Sequence, residues 1–342
     1  GVKQNASQGL RLIESAARKG DAHAMLVAAM MHASGRGTER SESKAFAWTY
    51  RAARAGHVSA MARVGVMYAE GQGTQRDYPK AMKWLHRAAE KKNPVAMRTL
   101  GQMYEQGTWV QQDRAKAVAW YRKAADENDV YSMYALGRMH ANGFGVQQDY
   151  AGALRWYRRA AEAGSAEAMV GIGQMHQLGL GVEVNQTEAI DWFTRAAERG
   201  SPEGMYQLSL MHAGGTGVKR DEDAALRWLK RAAEAGGLQA MFSMALMHEG
   251  GGYGLRPDAA AARHWYQKAA EAGHDEAMFR LGKMFAEGRG GPADPKKAAD
   301  WMRRAAMAGN VKALAVLEKR AKALEALEAD RRKAKTSDPA KP

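Results

Sequence analysis

The chain has 342 residues, a net charge of +14, 46% hydrophobic residues and no cysteine. The missing cysteines exclude a disulfide framework, thiol catalysis and cysteine zinc sites, and no stretch approaches the ~18 apolar residues of a membrane-spanning helix. The positive charge could attract nucleic acid, anionic lipid or an acidic protein, and charge alone does not choose among these.

At the start of the chain, Gly1-Val2 align with the Gly-Val pairs of later loops (Gly145-Val146, Gly181-Val182, Gly217-Val218). The chain is therefore expected to open inside a repeat, upstream sequence having been removed, which favours the periplasm over the cytoplasm. Tryptophan then keeps a 36-residue clock: Trp48, Trp84, Trp120, Trp156, Trp192 and Trp228, followed by Trp265 after one inserted residue and Trp301. Two further columns hold the same phase, an Ala-Ala pair from Ala16-Ala17 to Ala305-Ala306 and a methionine from Met25 to Met278. Such self-similarity is the mark of a solenoid, one elongated array in place of separate globular domains.

Within one unit, Asp77 offers a helix cap and Pro79 suits a first turn; Ala81, Trp84, Leu85 and Ala88 then share one helical face. A second helix follows, with Ala96, Met97, Leu100, Gly101 and Tyr104 on its face, and stops at Gly107. Neither helix is long enough to be stable alone, so stacking on neighbouring repeats must complete the core.

The cap position reads Asn5, Ser41, Asp77, Asp113, Asp149, Asn185, Asp221, Asp258 and Asp294, all preferred types, which predicts nine first helices. Gly20, Gly56, Gly164, Gly200, Gly236, Gly273 and Gly309 suit left-handed caps at the other end, Asn128 can follow, and Lys92 departs. Inside the second helix a small-residue column (Ala29, Gly65, Gly101, Gly137, Gly173, Ser209, Ala245, Gly282) predicts close approach to a neighbouring helix. In the third loop Trp109 stands where other repeats have glycine, so either the loop is remodelled or the ring packs over a ridge. The seventh loop, Glu249 to Gly254, gains a residue and is expected to be looser.

The motif Leu136-Gly137, His140, Gly143-Phe144-Gly145-Val146, Asp149, Trp156-Tyr157 and Ala160-Ala161-Glu162-Ala163-Gly164 resembles the Sel1-like repeat family, relatives of tetratricopeptide repeats. The resemblance implies an all-α fold, a right-handed superhelical α/α solenoid of about nine 36-residue helix-turn-helix repeats, with second helices lining a concave groove. It implies work as an adaptor, assembly factor or signalling regulator without catalysis, and some relatives resemble immunity proteins against secreted lipase effectors. The expected organisation is a solenoid over 1–317, a capping helix extension over 318–334 with its apolar stripe beginning at Leu314 and Leu317, and a disordered basic tail over 335–342.

Five histidines share a column, His32, His140, His176, His212 and His248, with Tyr68, Tyr104 and Phe285 in the same phase. Helices ~8–10 Å apart cannot bring these nitrogens to one metal, so an aromatic slot between repeats is the expected role. The basic column Arg51, Arg87, Lys123, Arg159, Arg195, Arg231, Lys268 and Arg304 invites a phosphate ladder, but acids three residues on, such as Glu90, Asp126 and Glu162, predict ordinary surface pairs. P-loop, G-x-S-x-G and H-E-x-x-H motifs are missing, so no catalytic residue, cofactor, metal or small-molecule substrate is expected.

By analogy with tetratricopeptide arrays, the groove is lined one position after the methionine (Leu26, Ala62, Arg98, Tyr134, Val170, Tyr206, Phe242, Phe279) and one after the small residue (Met30, Val66, Gln102, Arg138, Gln174, Leu210, Leu246, Lys283), with Trp109 added from the third loop. Aromatic, aliphatic and arginine residues exposed together are typical of protein-binding anchors. Inter-repeat packing is the alternative for Tyr134, Tyr206 and Phe242. The expected partner is a protein or peptide, an acidic one being compatible with the charge. Nucleic-acid or anionic-surface binding is the competing reading.

Overall fold

The structure, a computed structural model, describes residues 2–336, and among these it holds eighteen α-helices and no strand. Its contacts divide the chain into two units, 1–183 and 184–342. The first unit has first helices α1 (Val2–Arg18), α3 (Glu42–Arg54), α5 (Tyr78–Glu90), α7 (Arg114–Asp126) and α9 (Tyr150–Glu162), alternating with second helices α2 (Ala22–Ser34), α4 (Val58–Glu70), α6 (Pro94–Gln106), α8 (Val130–Asn142) and α10 (Ala166–Leu178). In the second unit the first helices are α11 (Gln186–Glu198), α13 (Glu222–Glu234), α15 (Ala259–Glu271) and α17 (Pro295–Met307), and the second helices α12 (Pro202–Gly214), α14 (Leu238–Gly250), α16 (Asp275–Glu287) and α18 (Val311–Thr336). Residues 337–342 of the expected basic tail lie outside the described residues.

Helix starts follow the cap column. Asp77 accepts the Lys80 N–H at 2.9 Å and Asp149 the Gly152 N–H at 2.8 Å; Asp caps α7, α13, α15 and α17 in the same way, Ser41 caps α3 and Asn185 caps α11. Asn5 is the exception, because α1 runs back through it to Val2 and the position lies inside a helix. Lys92 also differs from expectation. It adopts the same left-handed geometry as its glycine counterparts, with φ of 59°, although its Cβ makes that conformation unfavourable.

Within each unit, α2, α4, α6, α8, α12, α14 and α16 each pack most extensively on the first helix of the following repeat. The small column makes this possible. A Cβ on Gly101 would come within 2.7 Å of the Tyr121 ring, one on Gly65 within 2.7 Å of Leu85, and one on Gly137 would collide with Tyr157. Leu85 and Tyr121 are fully buried, so the cost of glycine inside a helix is offset by seating a large side chain from the next repeat. The methionine and Ala-Ala columns complete this core.

The third loop keeps its backbone path. Trp109 has φ of 68°, matching Gly145 at 74°, and its ring stacks on Tyr78 at 5.6 Å. At Gly145 a Cβ would run into the Arg114 carbonyl, whereas Tyr78, the residue equivalent to Arg114, meets Trp109 face to face. The longer seventh loop closes through a Gly252–Leu255 bridge, with N–H···O distances of 3.0 and 3.3 Å.

Candidate partner-binding face

The second helices of the first unit bring some of the sequence-predicted residues together. Trp109 shares a cavity of ≈ 310 Å³ with Val66 and Gln102, residues of one groove column on α4 and α6, and with Thr99 and Met103. A second cavity of ≈ 310 Å³ is lined by Tyr134, Tyr131, Val130, Ser165 and Glu167, where the start of α8 meets the start of α10. Tyr131 is 42% exposed, which makes it a more accessible anchor than half-buried Tyr134. Nothing in its column distinguishes it, since the equivalent positions are Val95 and Glu167.

The two arginines predicted for the groove are engaged within the chain. Arg98 Nη1 donates to Asp129 Oδ2 at 3.0 Å, while Asp129 caps α8 through the Ser132 N–H at 2.9 Å and accepts the Ser132 hydroxyl at 2.7 Å. Arg138 donates to Glu105, whose other oxygen accepts the Tyr121 hydroxyl at 2.7 Å. Burial, then the hydrogen bond to Glu105, holds the Tyr121 hydroxyl far above its usual pKa, so it stays a donor. Both arginines therefore clamp α6 to α8. Gln174 is half-buried on α10.

In the second unit, Leu210 is 45% exposed on α12 and Lys283 is exposed on α16. Tyr206 Oη lies 3.4 Å from Ser243 Oγ, and Phe242 stacks on His274 with ring centroids 4.2 Å apart. Phe279 and Leu246 are half-buried. Here the exposed surface of the predicted columns is concentrated at Leu210 and Lys283, while Tyr206 and Phe242 each contact a neighbouring repeat.

A second buried network, absent from the sequence reading, centres on Glu249. It accepts from the Tyr266 hydroxyl at 2.6 Å, Arg289 at 2.9 Å and Arg280 at 3.2 Å. Burial alone would raise this carboxyl, but the hydrogen bonds from Tyr266 and Arg289 and the two guanidinium charges hold it below the usual value. Glu249 and Glu105 occupy the same repeat position, where Ala33, Ala69, Ala141 and Ala213 stand elsewhere.

The basic column corrects an expectation. Among the described residues none of its side chains pairs with the acid three positions on. Each cation lies instead over the tryptophan three positions before it, from Arg51 on Trp48 at 4.9 Å to Arg304 on Trp301 at 4.0 Å. Helical side chains lean toward the helix N-terminus, so the long basic chain reaches back over the indole and away from the acid. Each stack contributes about 0.5–1 kcal/mol at an exposed site. The histidine column is also not uniform. His32 bonds Glu14 at 2.9 Å, whereas burial first of all holds His140 below the usual imidazole range, with Asp149 opposing.

The Sel1 repeat profile matches nine consecutive segments, from 1–21 and 22–57 through 275–310. This chain belongs to the Sel1 repeat family. Among solved structures, it is similar to a Sel1 repeat protein from Oxalobacter formigenes, with 31% identity over 93% of this chain and 92% of that one and a TM-score of 0.70. It is also similar to c5321, a protective antigen of uropathogenic Escherichia coli with an SLR fold, with 31% identity, 90% of this chain covered and a TM-score of 0.67; the match spans 66% of that protein. No curated protein matches in sequence.

Proposed function

We propose that this Sel1 repeat chain is a non-catalytic scaffold that captures a protein or peptide on its second-helix face. The observation that supports it is the pair of cavities on the first unit, one holding Trp109 and the other Tyr131 and Tyr134. Amphipathic aromatic rings beside a few polar groups (Gln102, Thr99, Glu167) are the composition of binding anchors. Arg98 and Arg138 act as internal clamps in this reading and leave recognition to the rings. In the second unit Leu210 and Lys283 are the exposed residues of the predicted columns. Envelope assembly, signalling regulation and effector neutralisation are the settings the reading covers, and the partner's identity decides among them.

The test is affinity capture from nuclease-treated lysate at low and high salt, with the full chain and with the Trp109→Ala/Tyr131→Ala double variant. One stoichiometric protein that survives high salt and is lost with the variant supports the reading. A protein retained equally by the folded variant contradicts the assignment of the face.

A further inference from the structure

Charge is sorted by helix in the first unit. Its first helices α3, α5, α7 and α9 carry thirteen Lys and Arg against four Asp and Glu. The intervening second helices α4, α6, α8 and α10 carry three against three. The second unit does not repeat this, because acids bring α11, α13, α15 and α17 to ten basic against eight acidic. Among the described residues the ion pairs on α3, α5, α7 and α9 are those of Lys80, Lys116 and Arg155 with capping aspartates and of Glu42 with Arg40. Exposed Lys83, Arg122 and Arg158 form none, and neither do Arg51, Arg87, Lys123 and Arg159 above their tryptophans.

We propose that the first-helix face of the first unit docks this protein on an anionic lipid bilayer. The indole beneath each cation restrains it, so it meets a phosphate with less freedom left to lose than a free side chain. Those same cations cover the ring faces on which nucleobases would stack, which separates the face from a single-strand-binding platform. One such cation per first helix, repeated along the first unit, is a dispersed array suited to many headgroups at once. Trp48 and Trp84 are buried and Trp120 and Trp156 half-buried beneath their cations, so the face presents charge ahead of any apolar wedge. No described helix is long and apolar enough to cross a membrane, so the association is peripheral. Docking this way leaves the neutral second-helix face free for a partner, and it holds whether or not that face binds protein.

The experiment is co-sedimentation of the full chain with vesicles of phosphatidylcholine alone or with about one-third phosphatidylglycerol, at low and high salt. Lys83→Glu/Arg122→Glu/Arg158→Glu is compared with Arg227→Glu/Lys296→Glu/Lys319→Glu, an equal charge change at exposed sites of the second unit; circular dichroism verifies both folds. The expected result is salt-sensitive binding to the anionic vesicles alone, reduced at least ~100-fold by the first triple variant and much less by the second. No binding at low salt, equal loss with both variants, or retention of duplex DNA without retention of vesicles would each overturn the proposal.

Discussion

Replacing Glu105 with alanine separates local helix preference from tertiary bonding with a clear sign. Glu105 sits one residue from the C-terminus of α6, where a carboxylate opposes the helix dipole, and most other repeats have alanine there. On local grounds Glu105→Ala should therefore stabilise by about 0.5 kcal/mol. The network reverses this. Tyr121 is fully buried, and losing its acceptor leaves an unpaired hydroxyl that costs about 1–3 kcal/mol. Arg138, with 37% of its side chain exposed, can turn to water and adds less. The net expectation is a loss of about 2 kcal/mol. Tyr121→Phe alone should cost about 1 kcal/mol, but in the Glu105→Ala background it removes the orphaned donor and should restore stability. Equilibrium urea unfolding of the four proteins measures the cycle, and hydrogen exchange of α6 to α8 places the loss. A neutral Glu105→Ala, or two strictly additive variants, would refute the network as the reason for this residue.

Other consequences are equally direct. Lys92→Gly should stabilise by about 0.5–1 kcal/mol in the same assay, because it relieves a left-handed φ of 59° and gives up only the exposed 3.6 Å pair with Glu127. Gly101→Ala should destabilise by about 1–2 kcal/mol through contact with the Tyr121 ring. Gly282→Ala, whose nearest contact would be 3.3 Å, should be neutral or stabilising; equal effects at the two sites would dismiss the close-approach account. Glu249 has a folded pKa below its ordinary value near 4.5, so its contribution to stability is present above that value and lost as pH falls through the lower folded one. The stability gap between the wild type and Glu249→Gln should therefore narrow below about pH 4.5, and a gap that does not change with pH would contradict the charged network.

The fold was legible because solenoid packing repeats with the sequence. Caps, methionines and the Ala-Ala pair serve the same role in each copy, so one period read along the chain predicts all of them. Asn5 shows the limit of that logic, since a cap residue has no cap to make once the helix continues through it. Lys92 and Trp109 show another, in which the array imposes a glycine-like backbone on residues that do not favour it. The candidate face was only partly readable. Val66, Gln102, Trp109 and Tyr134 line cavities, but Arg98 and Arg138 find carboxylates 31 and 33 residues away. Those acids belong to different columns from one another, so a search along any single column misses them. The cations over tryptophan were missed because acids at i+3 were weighed and the indole at i−3 was not.

Hydrogen exchange of the full chain, alone and with its captured partner, tests the central claim most directly. The account predicts new protection in the loop around Trp109, at the start of α8 near Tyr131 and Tyr134, and around Ser165 and Glu167, with the first helices unchanged. Protection confined to α3, α5, α7 and α9 would contradict it and move the partner to the basic face.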